Sequence, residues 1–241
     1  RQRLSLLSFP QGQLVVSWVA LPPGEIHVWL LRRPPAMTPG LRALTTGEEQ
    51  LRAVSMASQR RQCEWLAGRA LLRHCLAAYT GSPPRSLRFG QTSAGKPVLA
   101  LPGAPAFNLS HGPDWLGCAV AQGCALGLDL ECPARRNDTD GIAARYFHPQ
   151  EQAALAAAAD ERMRKQVFFR SWTLKEAYIK ARGDTLNGAR LHELGFSADG
   201  KPLFHAGQGH WQFFHTTFDR HHHLALACHW RECDTVNAVL P

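Results

Sequence analysis

Short apolar runs recur along the chain and predict β-strands near both ends of each half of the sequence. The four clearest runs are Ile26 to Leu31, Trp115 to Ala121, Leu126 to Glu131 and Leu224 to Trp230. In the third run leucines alternate with Gly127, Asp129 and Glu131, so one face of the strand is apolar and the other carries two carboxylates. We therefore expect small sheets with one packed face.

Two long stretches have apolar residues at helical spacing. The first is a helical block from about Gly47 to Tyr79, which Gly81-Ser82-Pro83-Pro84 ends. The second runs from about Asp160 to Arg182 and stops at Gly183, and a shorter helix opens at Pro149. This order of elements predicts an α+β fold in which a long helix packs on one face of each small antiparallel sheet.

The two halves of the chain repeat the same order of elements. Gly95-Lys96-Pro97 and Gly200-Lys201-Pro202 each follow a long helical stretch and precede an apolar run. A period this long indicates a duplicated domain rather than a solenoid. We expect two similar α+β halves, residues 1–123 and 124–241, joined near Gln122 to Cys124.

Composition narrows the class of protein. The chain has 241 residues, 45% of them hydrophobic, and its apolar runs fall well short of a transmembrane span. We find no signal-peptide pattern, and the seven cysteines are odd in number without a Cys-x-x-Cys pair, so a disulfide framework or a zinc site is poorly supported. We expect buried thiols in a reducing cytoplasm, and we do not expect a metal site at His221-His222-His223.

The net charge of +8, carried by 22 arginines and only 5 lysines, favours anionic partners such as nucleic acids, acidic proteins or phosphorylated small molecules. A genome with a high G+C content would also explain the many arginines, because arginine codons are rich in G and C. The net charge by itself does not distinguish among these partners or from the effect of codon usage.

Three carboxylates and one ammonium stand out as candidate chemistry. Asp129 and Glu131 are two apart on a strand, and Glu176 and Lys180 are four apart on a helix, so each pair shares a face. Oxygen ligands suit a hard divalent cation, and an ammonium suits a phosphate, which points to magnesium-assisted chemistry on a diphosphate. Solvated acids on an exposed strand and an ordinary helical ion pair are the simpler alternatives.

A third candidate is the segment Phe107 to Gly112, which places Ser110 and His111 in a turn after a strand. Adjacent residues cannot easily hold each other as a nucleophile and its base, so we prefer a phosphate contact to nucleophilic catalysis. A plain turn is the alternative. Lys96 is also a candidate for reaching a phosphate.

Together these motifs resemble the bacterial, two-half Sfp-type 4′-phosphopantetheinyl transferases over nearly the full length of the chain. The residues that carry the resemblance, in family order, are Gly95 to Pro97, Asn108 to His111, Gly127 to Glu131 and Trp172 to Lys180. The resemblance implies two halves related by a pseudo-twofold axis, with the active site between them.

The resemblance also implies roles for individual residues. Asp129, Glu131 and Glu176 would bind a magnesium ion, with manganese as an alternative, and Lys180 would contact the diphosphate of coenzyme A. Catalysis would rest on Glu176, Lys180 and Asp129. Further contacts to coenzyme A would come from Arg52, Lys96, Asn108, Ser110 and His111.

The implied reaction transfers the 4′-phosphopantetheine arm of coenzyme A to a serine of an apo acyl carrier protein, or of a peptidyl or aryl carrier domain. Adenosine 3′,5′-bisphosphate would leave, and Glu176, or a water that it orients, would take the serine proton. Fatty acid, polyketide and nonribosomal peptide synthesis use such carriers. We expect a cytoplasmic monomer with no nucleic-acid or membrane partner.

Two other functions fit the same residues. A magnesium-dependent nuclease also needs clustered acids, a lysine and a basic surface, although the sequence has no basic tract with interleaved aromatic residues. A non-catalytic module that binds acidic carrier proteins is the second. Cleavage of plasmid DNA, or carrier binding without affinity for coenzyme A, would distinguish them.

Overall fold

The computed structural model describes the backbone of residues 3–8 and, in full, residues 20–93, 95–133, 138–184, 190–198, 200–203 and 211–230. The strands are β1 (Arg3–Ser8), β2 (Glu25–Arg32), β3 (Phe89–Gln91), β4 (Pro97–Leu99), β5 (Ala106–His111), β6 (Trp115–Ala121), β7 (Cys124–Glu131), β8 (Trp211–Phe218) and β9 (His222–Trp230). The α-helices are α1 (Pro39–Leu44), α2 (Gly47–Val54), α3 (Gln59–Thr80), α4 (Thr139–Tyr146), α5 (Pro149–Ala156) and α6 (Glu161–Arg182).

The strands form two main sheets, in the orders β1-β2-β6-β5 and β7-β9-β8, and β3 and β4 form a separate hairpin. The prediction of an α+β fold with small antiparallel sheets is confirmed, with one difference at the edge of the first sheet. There β1 pairs with β2 in the parallel sense. Parallel strands need a connection of about a dozen residues or more, and the sequence separation of β1 and β2 meets this requirement.

The two long helices are built alike. Each has 22 residues, begins after a side-chain cap, Ser58 or Asp160, and ends at a left-handed glycine, Gly81 with φ 68° or Gly183 with φ 76°. The predicted end of α6 is therefore confirmed. The first helical block is instead interrupted after α2, because Ser58 adopts an extended conformation and caps a new helix.

The two Gly-Lys-Pro turns share one hydrogen-bond pattern. In the first, the Thr92 amide donates to the Lys96 carbonyl and the Gly95 amide to the Thr92 carbonyl, both at 2.9 Å. In the second, the Ser197 amide donates to the Lys201 carbonyl and the Gly200 amide to the Ser197 carbonyl, again at 2.9 Å. This match supports the internal repeat that the sequence predicts.

The two sheets adjoin along β5 and β7, where side chains replace the usual ladder. The Asn108 side-chain oxygen accepts from the Leu128 amide at 2.9 Å, and the Ser110 hydroxyl accepts from the Leu130 amide at 3.1 Å. We call this contact the seam. Apolar residues of both sheets share one core beneath it: Val28, Leu30, Ala119, Ala121, Leu126, Leu128, Leu130, Leu224 and Leu226.

None of the helices in the described ranges combines the length and the apolarity that crossing a bilayer requires.

Candidate functional site

A strand carboxylate, a helix ammonium and a hydroxyl meet at the seam. The Lys180 ammonium on α6 lies 2.6 Å from Asp129 Oδ1 on β7 and donates to the Ser110 hydroxyl at 3.0 Å. The Ser110 hydroxyl in turn donates to Asp129 Oδ1 at 3.2 Å. Asp129 and Ser110 are buried, and Lys180 is about one-third exposed. Residues from both halves therefore build one polar centre.

The second carboxylate oxygen of Asp129 is the unusual feature of this centre. Asp129 Oδ2 is buried, and no hydrogen-bond partner lies within reach among the residues that the structure describes. A buried acceptor without a partner carries a free-energy cost, so native structures rarely leave one. A cation at this oxygen would remove that cost, so the observed donor set fits a divalent metal.

Glu131 and Glu176 lie in the same electrostatic environment. The pKa of Glu131 is raised to about 7, chiefly by burial and then by the charge of Asp129, while a hydrogen bond from Trp172 acts in the opposite direction. Burial also raises the pKa of Glu176 to about 7, again with Asp129 adding to the shift and Lys180 opposing it. Three acids with one nearby lysine thus leave negative charge that a bound cation would balance.

Asp129, Glu131 and Glu176 influence one another electrostatically, but their ligand atoms do not form a tight set. Among the described residues, the one group of three whose ligand atoms all lie within 4.8 Å of one another is Cys132, His221 and His222. Asp129, Glu131 and Glu176 are therefore more widely spaced, and Lys180 occupies one oxygen of Asp129.

Gly127 explains how α6 comes close enough to place Lys180 over β7. A Cβ atom at Gly127 would lie 1.9 Å from the Ala177 carbonyl oxygen and 2.5 Å from the Ala181 amide nitrogen. No side chain fits in that space, since the atoms it would meet belong to the helix backbone. The glycine that precedes Asp129 in the motif thus sets the distance between the helix and the strand.

The other residues predicted to contact coenzyme A lie in different environments. His111 is exposed, with its Nε2 3.4 Å from Glu64 Oε1. Arg52 is exposed on α2, and its guanidinium lies 5.5 Å from the centre of the Trp65 ring. The side-chain oxygen of Asn108 accepts a hydrogen bond from the β7 backbone at the seam.

Lys96 also has an internal role. Its ammonium donates to the Leu126 carbonyl at 2.8 Å and to the Ala181 carbonyl at 3.0 Å, which ties the first Gly-Lys-Pro turn to β7 and to the end of α6. Burial lowers the pKa of Lys96 to about 8. A phosphate contact by Lys96 stays a prediction.

A cavity of about 420 Å³ opens at the start of α3 in the first half. Two arginines, Arg33 and Arg60, line it together with Glu64. Glu64 accepts from Arg33 at 2.8 Å and lies near His111, so it links the cavity to the end of β5. The arginines make this a suitable place for an anionic group.

Sequence reasoning missed Lys175, which precedes Glu176 but lies on a different face of α6. Its side chain is fully buried, lies 2.9 Å from Glu151 Oε2, and donates to the carbonyls of Leu191 and Leu194. Burial lowers its pKa, and Glu151 opposes that shift. A lysine within an otherwise apolar helix face was the signal that could have indicated this buried pair.

Two family models and several characterised proteins match the chain. Residues 125–228 match the model described as the 4′-phosphopantetheinyl transferase superfamily, and residues 39–123 match the one described as 4′-phosphopantetheinyl transferase, N-terminal. The 4′-phosphopantetheinyl transferase HetI of Nostoc sp. is 35% identical over 189 residues, which cover 74% of this chain and 78% of that protein. The chain belongs to the 4′-phosphopantetheinyl transferase superfamily.

Other relatives of this transferase come from a bacterium and from human. The 4′-phosphopantetheinyl transferase of Bacillus subtilis is 32% identical over 202 residues, 77% of this chain and 87% of that protein. The human L-aminoadipate-semialdehyde dehydrogenase-phosphopantetheinyl transferase is 30% identical over 187 residues, 67% of this chain and 60% of that protein. The holo-acyl-carrier-protein synthase structure from Thermotoga maritima covers 44% of this chain with 25% identity and a TM-score of 0.35, which is too low to establish a common overall fold.

Proposed function

We propose that this transferase moves the 4′-phosphopantetheine arm of coenzyme A to a serine of an apo acyl, peptidyl or aryl carrier protein. The serine oxygen would form a bond to the β-phosphorus, and the bond from that phosphorus to the departing adenosine 3′,5′-bisphosphate would break. Membership of the family supports the reaction. The observation that supports the site most directly is the Asp129 carboxylate, with one oxygen held by Lys180 and the other buried with no hydrogen-bond partner in the part of the chain that the structure describes.

Asp129, Glu131 and Glu176 would hold the divalent cation, magnesium or manganese, because hard cations take oxygen ligands. When bound, the cation would supply positive charge to the diphosphate of coenzyme A. The buried oxygen of Asp129 and the raised pKa values of both glutamates support this ligand set.

Two side chains of the protein would stabilise the developing charge and accept the proton. Lys180 places a fixed positive charge at the seam, where negative charge would develop on the departing phosphate. Glu176, or a water that it orients, would accept the proton of the attacking serine. Both residues are only partly buried, so a substrate can reach them.

We assign the phosphate contacts of coenzyme A to the half comprising residues 1–123, and the metal ligands and catalytic helix to residues 124–241. His111 is exposed and lies 3.4 Å from Glu64, which lines the cavity with the two arginines, and Arg52 is exposed on α2, so both are available to a ligand. Ser110, Asn108 and Lys96 would act partly by holding the seam, since each already bonds within the protein.

The net charge of +8 would attract both the phosphates of coenzyme A and an acidic carrier surface. We propose a cytoplasmic monomer without nucleic-acid or membrane partners.

Mass spectrometry of an apo carrier protein incubated with coenzyme A, magnesium and the transferase tests the reaction. We expect the carrier to gain the mass of the phosphopantetheine arm, and Asp129→Ala to abolish that gain while circular dichroism shows a retained fold. The matched control is Asp140→Ala, because Asp140 is exposed and pairs only with Arg164 among the described ion pairs. Unchanged carrier masses with several different carriers would contradict the proposal, and normal activity of Asp129→Ala would remove the metal-ligand role.

A further inference from the structure

A basic cavity of about 400 Å³ lies where the start of α6 meets the turn between β8 and β9. Three cationic side chains line it, those of Arg162, Lys165 and Arg220, against one carboxylate, that of Glu161. Glu161 lies 3.6 Å from Lys165, one turn further along the helix, so this carboxylate already faces one of the cations. The cavity therefore carries a net positive charge.

Two of these cations are unpaired. Arg162 and Arg220 are exposed, and neither forms an ion pair with any residue that the structure describes. The carboxylate of Asp219, which precedes Arg220, accepts a hydrogen bond from Trp115 at 2.9 Å. Both guanidinium groups are thus available for bidentate contacts to a carboxylate or a phosphate.

Arg220 also adopts a backbone conformation that is unfavourable for its residue type. Its φ is 72°, in the left-handed region that glycine occupies at the lowest cost. Residues in such strained conformations cluster at functional sites, where the side chain is needed despite the cost to the backbone. An arginine at this position beside a basic cavity supports a binding role for its guanidinium group.

The cavity adjoins the carboxylates at the seam. Pro133, which lines the cavity, is four residues beyond Asp129, so their Cα atoms are at most about 14 Å apart. His223, which also lines it, is the β9 partner of Glu131. Ten residues of α-helix span about 15 Å. A protein helix with one end at Asp129 is therefore long enough to reach the cavity.

We propose that Arg162, Lys165 and Arg220 dock an acidic helix of the apo carrier protein while the carrier's serine lies at the seam. The inference rests on the proposed function, because it names the surface that recognises the protein substrate. Carboxylates of the helix pair with the two unpaired arginines. The phosphates of coenzyme A are assigned to the half comprising residues 1–123, which leaves the cations of this cavity, on the other half, for the carrier.

Steady-state kinetics in which carrier and coenzyme A are varied separately test this docking surface. Arg162→Glu and Arg220→Glu should each raise KM for the carrier by about tenfold or more, because like charges across an interface disfavour the complex. The value of kcat and the KM for coenzyme A should stay unchanged, and added salt should reduce the effect. The matched control Arg85→Glu makes the same charge change at an exposed arginine of the first half and should leave the KM for the carrier unchanged.

Arg220→Gly separates docking from folding. Glycine relieves the left-handed strain at this position, so the variant should be no less stable in urea than the unaltered protein. It should nevertheless show the raised KM for the carrier, because the guanidinium group is gone. An arginine with a merely structural role would give the opposite pattern, a loss of stability with an unchanged KM.

Direct binding distinguishes failure of the docking surface from failure of the proposed reaction. The probes are a fluorescently labelled apo acyl carrier protein and an apo peptidyl carrier domain, followed by anisotropy without coenzyme A. Weaker binding by Arg162→Glu and Arg220→Glu supports the surface even if the unaltered protein transfers nothing. Carrier binding and KM that are unchanged in both variants would overturn the surface and leave the reaction intact. A raised KM for coenzyme A in place of the carrier, or no carrier binding by the unaltered protein, would also overturn it.

Discussion

Lys180 Nζ lies 2.6 Å from Asp129 Oδ1, and this contact joins the long helix of the second half to the strand at the seam. The lysine neutralises one oxygen of the buried Asp129 carboxylate and leaves the other oxygen without a partner among the described residues. Before any ligand binds, the positive charge of Lys180 therefore faces only one of the two oxygens of Asp129. A divalent cation and a diphosphate would together complete it.

Replacing Lys180 should impair catalysis more than it impairs folding. Lys180→Ala removes a fixed positive charge from the seam, and loss of one such group typically costs about 100- to 1,000-fold in turnover. Steady-state kinetics with a carrier protein and coenzyme A would measure kcat/KM. The matched control is Lys165→Ala on the same helix, where the lysine is exposed and pairs with Glu161 at 3.6 Å. Near-normal turnover by Lys180→Ala would contradict the role of this charge.

A methyl group at Gly127 should separate α6 from β7. Gly127→Ala would place a Cβ atom 1.9 Å from the Ala177 carbonyl oxygen, and overpacking of this kind costs about 1–3 kcal/mol or more. We expect a lower free energy of unfolding in urea, together with lost activity because Lys180 moves away from Asp129. Gly47→Ala is the control, since nothing lies within 4 Å of a Cβ atom there. Equal stability of the two variants would show that the helix can shift freely.

The buried pair of Lys175 and Glu151 should matter for stability rather than for chemistry. Lys175→Met leaves Glu151 buried without its cation, and breaking such a pair costs about 3–5 kcal/mol. Glu151 also accepts from the amides of His148 and Phe196, so it holds the start of α5 and a loop of the second half. Chemical denaturation would measure the loss.

The exposed pair of Lys165 and Glu161 on the same helix provides the control for this prediction. Lys165→Met should cost about 0.5 kcal/mol or less, because solvent screens such pairs. Similar losses for Lys175→Met and Lys165→Met would mean that the buried pair is not an important contribution.

Metal affinity should rise between about pH 6 and pH 8. In the absence of a cation the pKa values of Glu131 and Glu176 are raised to about 7, so protons compete with the metal below that pH and are largely released above it. Titration of Mn²⁺ followed by electron paramagnetic resonance would measure the dissociation constant. Glu176→Gln should bind more weakly and with a shallower dependence on pH. A dissociation constant that stays constant over this range would exclude these glutamates as ligands.

The sequence could predict the features that depend on neighbours along the chain. Periodicity identified β7 and α6, and Gly183 marked the end of α6 because a left-handed residue closes a helix there. The spacing of Asp129 and Glu131 placed both on one strand face, and the spacing of Glu176 and Lys180 placed both on one helix face.

The repeat of the Gly-Lys-Pro turns was also visible in the sequence, since turn geometry depends on a few consecutive residues. The interruption at Ser58 was not predicted, because α3 begins where the extended backbone of Ser58 caps a new helix, and that conformation is a property of the folded chain.

The tertiary structure alone decided which atoms meet across the seam. The Lys96 ammonium donates to two backbone carbonyls, and the Lys175 side chain is buried against Glu151. From the sequence alone, both lysine side chains would be expected at the protein surface. The Asp129 oxygen that lacks a partner among the described residues, and the approach of Cys132 to His222, likewise depend on distant parts of the chain. Such contacts depend on the positions of whole helices and sheets, which result from packing of the shared core, and residue spacing within one element carries no information about them.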